Sequence, residues 1–215
     1  MKWLFGAAVA GFMALASPVL AQTKMTIATG VDPSFSAYYV AKLGGIFEKN
    51  GLVVTLNTGP SGSAMVSFIV RNQVQSAFGA EGAGIQNHNL DPNVVIAAEG
   101  DLMKEWYGMV AKGVPNIEAL KGKKLGIARG SGSEVFWLSL VEKLKLKPSD
   151  YKIIQVEAPE MVAALERGDI DAFTSWEPWL ARAVKAVPGA KVIVPQGDIL
   201  TPRVYIYVNK EWADK

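Results

Sequence analysis

The chain has 215 residues, half of them hydrophobic, which is enough to bury one or two globular cores. Its formal charge of +2 is too balanced to point to nucleic acid or an acidic membrane surface. The absence of cysteine excludes disulfides, thiolate chemistry, cysteine-ligated metals and a lipidated N-terminal cysteine.

In chain order, Met1-Lys2 precedes an uncharged run, Trp3–Leu20, that closes on Ser17-Pro18-Val19-Leu20-Ala21. Small or compact residues at Val19 and Ala21 after a helix-breaking proline read as a signal-peptidase site. The alternative is an uncleaved anchor, since the run is nearly long enough to span a bilayer. Ser17-Pro18 and the lack of a basic stop-transfer cluster favour export, so residues 1–21 are expected to be a cleaved signal peptide. The expected location is the periplasm.

Met25–Thr29 reads as a strand, ended by Gly30 and the turn-forming Asp32-Pro33, and Ser36–Phe47 as a helix stopped at Asn50-Gly51. Strand Leu52–Asn57, helix Ala64–Val70, a short strand through Ala77-Phe78 and the apolar strand Asn93–Ala98 follow. This βαβαβ order predicts a parallel sheet covered by helices. Trp106–Ala111 is a connecting strand into a second set. That set comprises strand Lys124–Ala128, helix Glu134–Leu144, strand Tyr151–Val156, helix Glu160–Arg167, strand Ile170–Phe173 and a helix opened by Glu177-Pro178. Lys191–Val194 and Val204–Val208 are the last strands.

One tripeptide occurs twice in this order. Ser61-Gly62-Ser63 follows Leu52–Asn57, and Ser131-Gly132-Ser133 follows Lys124–Ala128, each before a helix. A strand, a small-residue turn and a helix start leave backbone N–H groups unpaired at a positive helix end, which suits an anionic group. The plainer role for both turns is that of N-caps with small residues for tight packing. Ser34, Phe35, Tyr38, Trp106, Tyr107 and Trp176 lie where loops present hydroxyls and rings to a ligand, with core packing as the alternative. Glu81 and Glu177 stand just beyond two matching strands, at the carboxyl ends where open α/β sheets bind ligands. They suit an amine, although Glu177 with Pro178 also makes a good helix start. Arg203 is a candidate counter-ion for a sulfonate or carboxylate, or for Glu81 or another acid. The single histidine, His88, reads as a solvated residue of a polar loop. No metal-ligand spacing, nucleophile elbow or phosphate loop is present, and no cofactor or metal is expected.

Four stretches carry a family resemblance: Tyr39-Val40-Ala41-Lys42 through Gly45-Ile46-Phe47-Glu48-Lys49-Asn50-Gly51-Leu52; Leu120-Lys121-Gly122-Lys123-Lys124-Leu125-Gly126; Ala163-Ala164-Leu165-Glu166-Arg167-Gly168-Asp169-Ile170-Asp171-Ala172; and Trp176-Glu177-Pro178-Trp179. In order, over about residues 25 to 210, they resemble the substrate-binding proteins of ABC importers for nitrate, sulfonates and taurine. The resemblance implies a type II periplasmic binding protein, an α/β fold of two lobes joined by two hinge crossings. The first lobe is expected over residues 22–105 plus 201–215 and the second over 106–200. Such proteins usually continue with further helices, so the first lobe is expected to be incomplete at the C-terminus of a truncated sequence. The resemblance also implies a monomeric, non-catalytic receptor that hands a small anionic solute to transmembrane permease subunits; the aromatic candidates favour an alkanesulfonate or taurine over nitrate, since so small an ion needs few rings. The alternatives are a binder of a heteroaromatic, such as a thiamine-precursor pyrimidine or an aromatic acid, and an enzyme on the same fold.

Overall fold

The computed structural model describes residues 22–102 and 104–215; the signal peptide expected over residues 1–21 lies outside the described residues. The first half of the chain forms β1 (Thr23–Thr29), α1 (Ser36–Leu43), α2 (Ile46–Lys49), β2 (Leu52–Thr58), α3 (Gly62–Val70), β3 (Ser76–Ala80), α4 (Glu81–Leu90) and β4 (Val94–Leu102). The second half forms β5 (Tyr107–Lys112), β6 (Lys124–Ile127), α5 (Gly132–Lys143), β7 (Lys152–Gln155), α6 (Met161–Arg167), β8 (Ala172–Trp176), α7 (Trp179–Ala186), β9 (Ala190–Pro195), β10 (Arg203–Asn209) and α8 (Lys210–Ala213). No helix among the described residues is long and apolar enough to cross a membrane.

Two five-stranded sheets result, with orders β2-β1-β3-β10-β4 and β7-β6-β8-β5-β9. The parallel sheet expected from the βαβαβ order is therefore corrected to a mixed one. β1 pairs in parallel with β2 and β3, but β10 returns from the far end of the chain and inserts antiparallel between β3 and β4. In the second sheet β5 takes the same place, antiparallel to both β8 and β9. All five residues of β3 are buried, so the backbone groups on its open edge need protein partners, and β10 provides them in the register Val204↔Ala80 to Val208↔Ser76.

Each sheet carries its own core. Met65, Val66 and Ile69 of α3 pack with Ala77 and Phe78 of β3, while Met109, Leu125, Ile127, Phe136 and Leu140 pack in the second unit. Fully burying a side chain of this size stabilises by about 1.5–3 kcal/mol. Trp106, on the first crossing, packs against both cores. Gln196, at the end of β9, pins that crossing: its Oε1 accepts the N–H groups of Trp106 and Tyr107 at 2.8 and 3.0 Å.

Two local expectations are corrected. The helix expected over Ser36–Phe47 splits at Gly44-Gly45, because Gly45 takes a left-handed conformation (φ 66°) that interrupts the hydrogen-bond ladder. His88 stands on α4 rather than in a loop; its ring is exposed and Nδ1 lies 2.9 Å from the Val94 carbonyl oxygen. A narrow face of small residues, Ala83 and Gly84, seats that helix on Tyr207, whose hydroxyl donates to Ala80 O at 3.1 Å.

Candidate functional site

Both Ser-Gly-Ser turns start helices, and the two are built differently. Ser61 caps α3, its Oγ accepting the Ala64 N–H at 3.4 Å. Ser131 caps α5: Oγ accepts the Ser133 N–H at 3.2 Å and donates to Ala128 O at 2.6 Å. Ser133 is fully buried; its Oγ donates to Thr174 O at 2.6 Å and accepts the Ala128 N–H at 3.1 Å. Thr174 Oγ1 donates in return to Ser133 O at 3.0 Å. The second turn is thus stitched to β8, and its hydroxyls are engaged within the protein. What the turns leave for a ligand is the N–H groups of Gly62 and Ser63 at the start of α3 and of Gly132 at the start of α5, since the cap hydroxyls take those of Ala64 and Ser133 and Ser131 O takes that of Glu134.

The turns face one crevice. Gly62 from the first unit and Ser131 and Gly132 from the second line a single small cavity of about 40 Å³. That volume is room for a few waters. The carboxyl ends of β1, β3, β6 and β8 converge there, as expected for open α/β sheets. Its walls are aromatic: Phe35 meets Phe78 edge-on at 5.0 Å, and Tyr107 meets Trp176 edge-on at 6.3 Å. Tyr107 explains the glycine of the second turn. A Cβ on Gly132 would fall 2.0 Å from the Tyr107 hydroxyl, so only glycine lets the ring approach. Burial, aided by the fields of Glu81 and Asp32, pushes that hydroxyl well above the usual tyrosine range and keeps it a donor.

Among the described residues one charged side chain lines the cavity, Asp32. It is 9 % exposed; Oδ1 accepts from the N–H of Ser34 at 3.0 Å and from the Ser34 hydroxyl, and Oδ2 accepts the indole N–H of Trp176 at 3.1 Å. The sequence marked Asp32 as a turn residue and missed it as a site residue. Its local signal, an Asx turn with Ser34, says nothing about a partner in the other sheet. Phe78 was also outside the expected set, whereas Tyr107 was expected beside Trp106 as a ring near the crossing.

Of the sequence-derived candidates, Ser34, Phe35, Gly62, Trp106, Ser131, Gly132 and Trp176 line this cavity. Ser61 borders a neighbouring recess with Trp176 and Trp179. Ser63 is turned toward Gln86, with Oγ 3.1 Å from Oε1, where the units meet, and Ser133 lies beneath the turn. The Tyr38 hydroxyl is buried without a partner, and burial pushes it up to about 12. Glu81 Oε1 accepts the Arg203 N–H at 2.9 Å and Oε2 is buried without a partner; it lines a separate groove on the first sheet with Ile85, Val95 and Ile96. The Arg203 guanidinium pairs with Glu99 at 2.6 Å and does not line the cavity. Glu177 starts α7, its Oε2 accepting the Ala181 N–H at 3.1 Å. Among the described residues no cluster of histidine and carboxylate side chains suits a metal ion.

The NMT1/THI5 like family matches residues 32–202, four fifths of the chain and the span that holds both turns and the crevice. The chain belongs to this family. Among relatives, the taurine-binding periplasmic protein of Escherichia coli is 26% identical over 183 residues, covering 82% of this chain and 56% of its own length. A Bacillus subtilis protein provisionally named as aliphatic sulfonates-binding is 27% identical over 180 residues, with coverages of 78% and 52%. The chain thus spans about half the length of the curated relatives it matches. Among solved structures, the alkanesulfonate-binding protein SsuA of Xanthomonas axonopodis pv. citri, bound to MOPS, superposes with a TM-score of 0.78 at 14% identity. That match covers 89% of this chain and 67% of the other. The periplasmic nitrate-binding protein NrtA of Synechocystis gives 0.73 at 15% identity, with coverages of 90% and 57%. At such identities the likeness shows the fold, and it is the periplasmic binding fold that the resemblance implied. By their names these relatives are binding proteins for taurine and for aliphatic sulfonates.

Proposed function

We propose that the protein is the solute receptor of an ABC importer, closing two lobes on a small sulfonate-like anion, an alkanesulfonate or taurine, and delivering it to a membrane permease. The lobes are residues 22–105 with 201–215, and residues 106–200. The observation that carries this reading is the convergence of Gly62 and Ser131-Gly132, from two helix starts in two sheets, on one crevice cavity. Each helix end contributes about 0.3–1 kcal/mol to holding an anion, and charge-assisted hydrogen bonds to backbone N–H groups contribute more. Exclusion of water from the closed crevice strengthens both.

In this reading residues 1–21 direct export and are removed, the receptor acts in the periplasm as a monomer, and it performs no catalysis and binds no nucleic acid. The lone histidine on the outer surface of α4, away from the cavity, supports a non-catalytic role. The names of the relatives supply the solute class.

Unfolding of the protein in the presence of ethanesulfonate, taurine, nitrate, benzoate and 4-aminopyrimidine tests it. A ligand at a hundred times its dissociation constant adds about 2.7 kcal/mol, a plainly visible shift. A response to the sulfonates above the others is expected. A response confined to the pyrimidine or benzoate would overturn the proposal in favour of a heteroaromatic or aromatic-acid binder.

A further inference from the structure

The crevice is not electrostatically what a receptor for a bare anion requires. Its one charged lining residue is a carboxylate, Asp32, and no lysine, arginine or histidine among the described residues lines it. Arg203, which the sequence offered as a counter-ion, pairs with Glu99 instead. The three donors that reach Asp32 are the Ser34 N–H, the Ser34 hydroxyl and the Trp176 indole, and none is a cation. A carboxylate offers about four lone-pair sites, so these bonds neither neutralise it nor exhaust it. Glu81 adds to the same sign nearby, since its field and that of Asp32 both act on the Tyr107 hydroxyl. An anion drawn to the two helix ends is therefore held beside a carboxylate that has no cationic partner and repels it.

We infer that the solute is a zwitterion or carries a cationic N–H group, and that Asp32 binds that group while the two turns bind the anionic end. This rests on the crevice being the solute site and deepens that reading. Asp32 then selects an aminoalkanesulfonate over the alkanesulfonate of equal length. The rings of Phe35, Tyr107 and Trp176 wall the same cavity, and the face of an aromatic ring attracts an alkylammonium. Its fixed place helps: the bonds from Ser34 and Trp176 hold the carboxylate before the ligand arrives, so little ordering remains to be done on binding.

Calorimetry with a matched series (taurine, ethanesulfonate and ethylamine) on the wild-type protein and on Asp32→Asn tests this. In the wild type, taurine is expected to bind at least tenfold more tightly than ethanesulfonate. In Asp32→Asn that ratio should collapse towards one, with ethanesulfonate binding unchanged or tightened. The wild-type comparison stands alone should the variant fold poorly. Equal wild-type affinities for taurine and ethanesulfonate would overturn the role of Asp32 and leave the sulfonate receptor intact. Binding of ethylamine with no binding of either sulfonate would overturn the anion reading of the turns and support the carboxylate site. Silence from all three compounds would overturn both.

Discussion

The indole Nε1–H of Trp176, at the end of β8, donates to Oδ2 of Asp32, just beyond β1, at 3.1 Å across 144 residues of chain. The bond ties the second sheet to the first through a buried carboxylate, and Trp176 also borders the recess containing Ser61 and Gly62. Trp176→Phe keeps a ring and removes the donor. Its expected cost is about 1–3 kcal/mol, because a buried acceptor loses a partner that water replaces poorly. Urea denaturation measures it, and an unchanged midpoint would show that the bond adds no net stability.

Gly132→Ala should destabilise for a different reason. The new methyl would stand 2.0 Å from Tyr107 Oη and 2.4 Å from Cζ, so the ring or the helix start must move. Overpacking of this kind costs about 1–3 kcal/mol. The same displacement distorts the cavity, so weaker sulfonate binding is expected to accompany the lower thermal midpoint.

Tyr38 offers a test by pH. Its hydroxyl is pushed up to about 12 by burial, against an ordinary value of 10.0. A raised tyrosine is neutral in both states below pH 10, so its contribution is fully present there. Above pH 10 the unfolded chain ionises first, and stability falls until the folded hydroxyl also ionises near pH 12. The loss attributable to this residue is on the order of 2–3 kcal/mol. Tyr38→Phe should leave stability at pH 7 unchanged or slightly higher, since the hydroxyl has no partner to lose, and should flatten the decline between pH 10 and 12. A decline as steep as in the wild type would assign the alkaline loss to other groups.

Lys145 follows the end of α5 with φ 53°, where a side chain crowds the backbone. The Leu146 N–H nevertheless closes the helix on Val141 O at 3.0 Å. Lys145→Gly removes the crowding and is expected to raise stability by about 1 kcal/mol, less the extra freedom glycine gives the unfolded chain. A lower denaturation midpoint would show that the lysine stem makes contacts worth more than the strain.

Local chemistry made much of this molecule legible. Alternating apolar and β-branched runs marked the strands within a few residues, and Ser61 and Ser131 marked helix starts because a hydroxyl acceptor suits an N-cap wherever it occurs. The family resemblance, too, lies in contiguous stretches. What stayed hidden depends on partners far apart in the chain. The insertion of β10 between β3 and β4 is set by an open strand edge more than a hundred residues away, and no period in either segment reports it. The fates of Arg203 and Glu177 were open for the same reason: a charge in sequence has no address until folding brings Glu99 to one and the Ala181 N–H to the other. Asp32 is the sharpest case. As a turn residue it was explained completely by Ser34, two positions on, and only the meeting of two separately built sheets gave its second oxygen to Trp176 and its charge to the crevice.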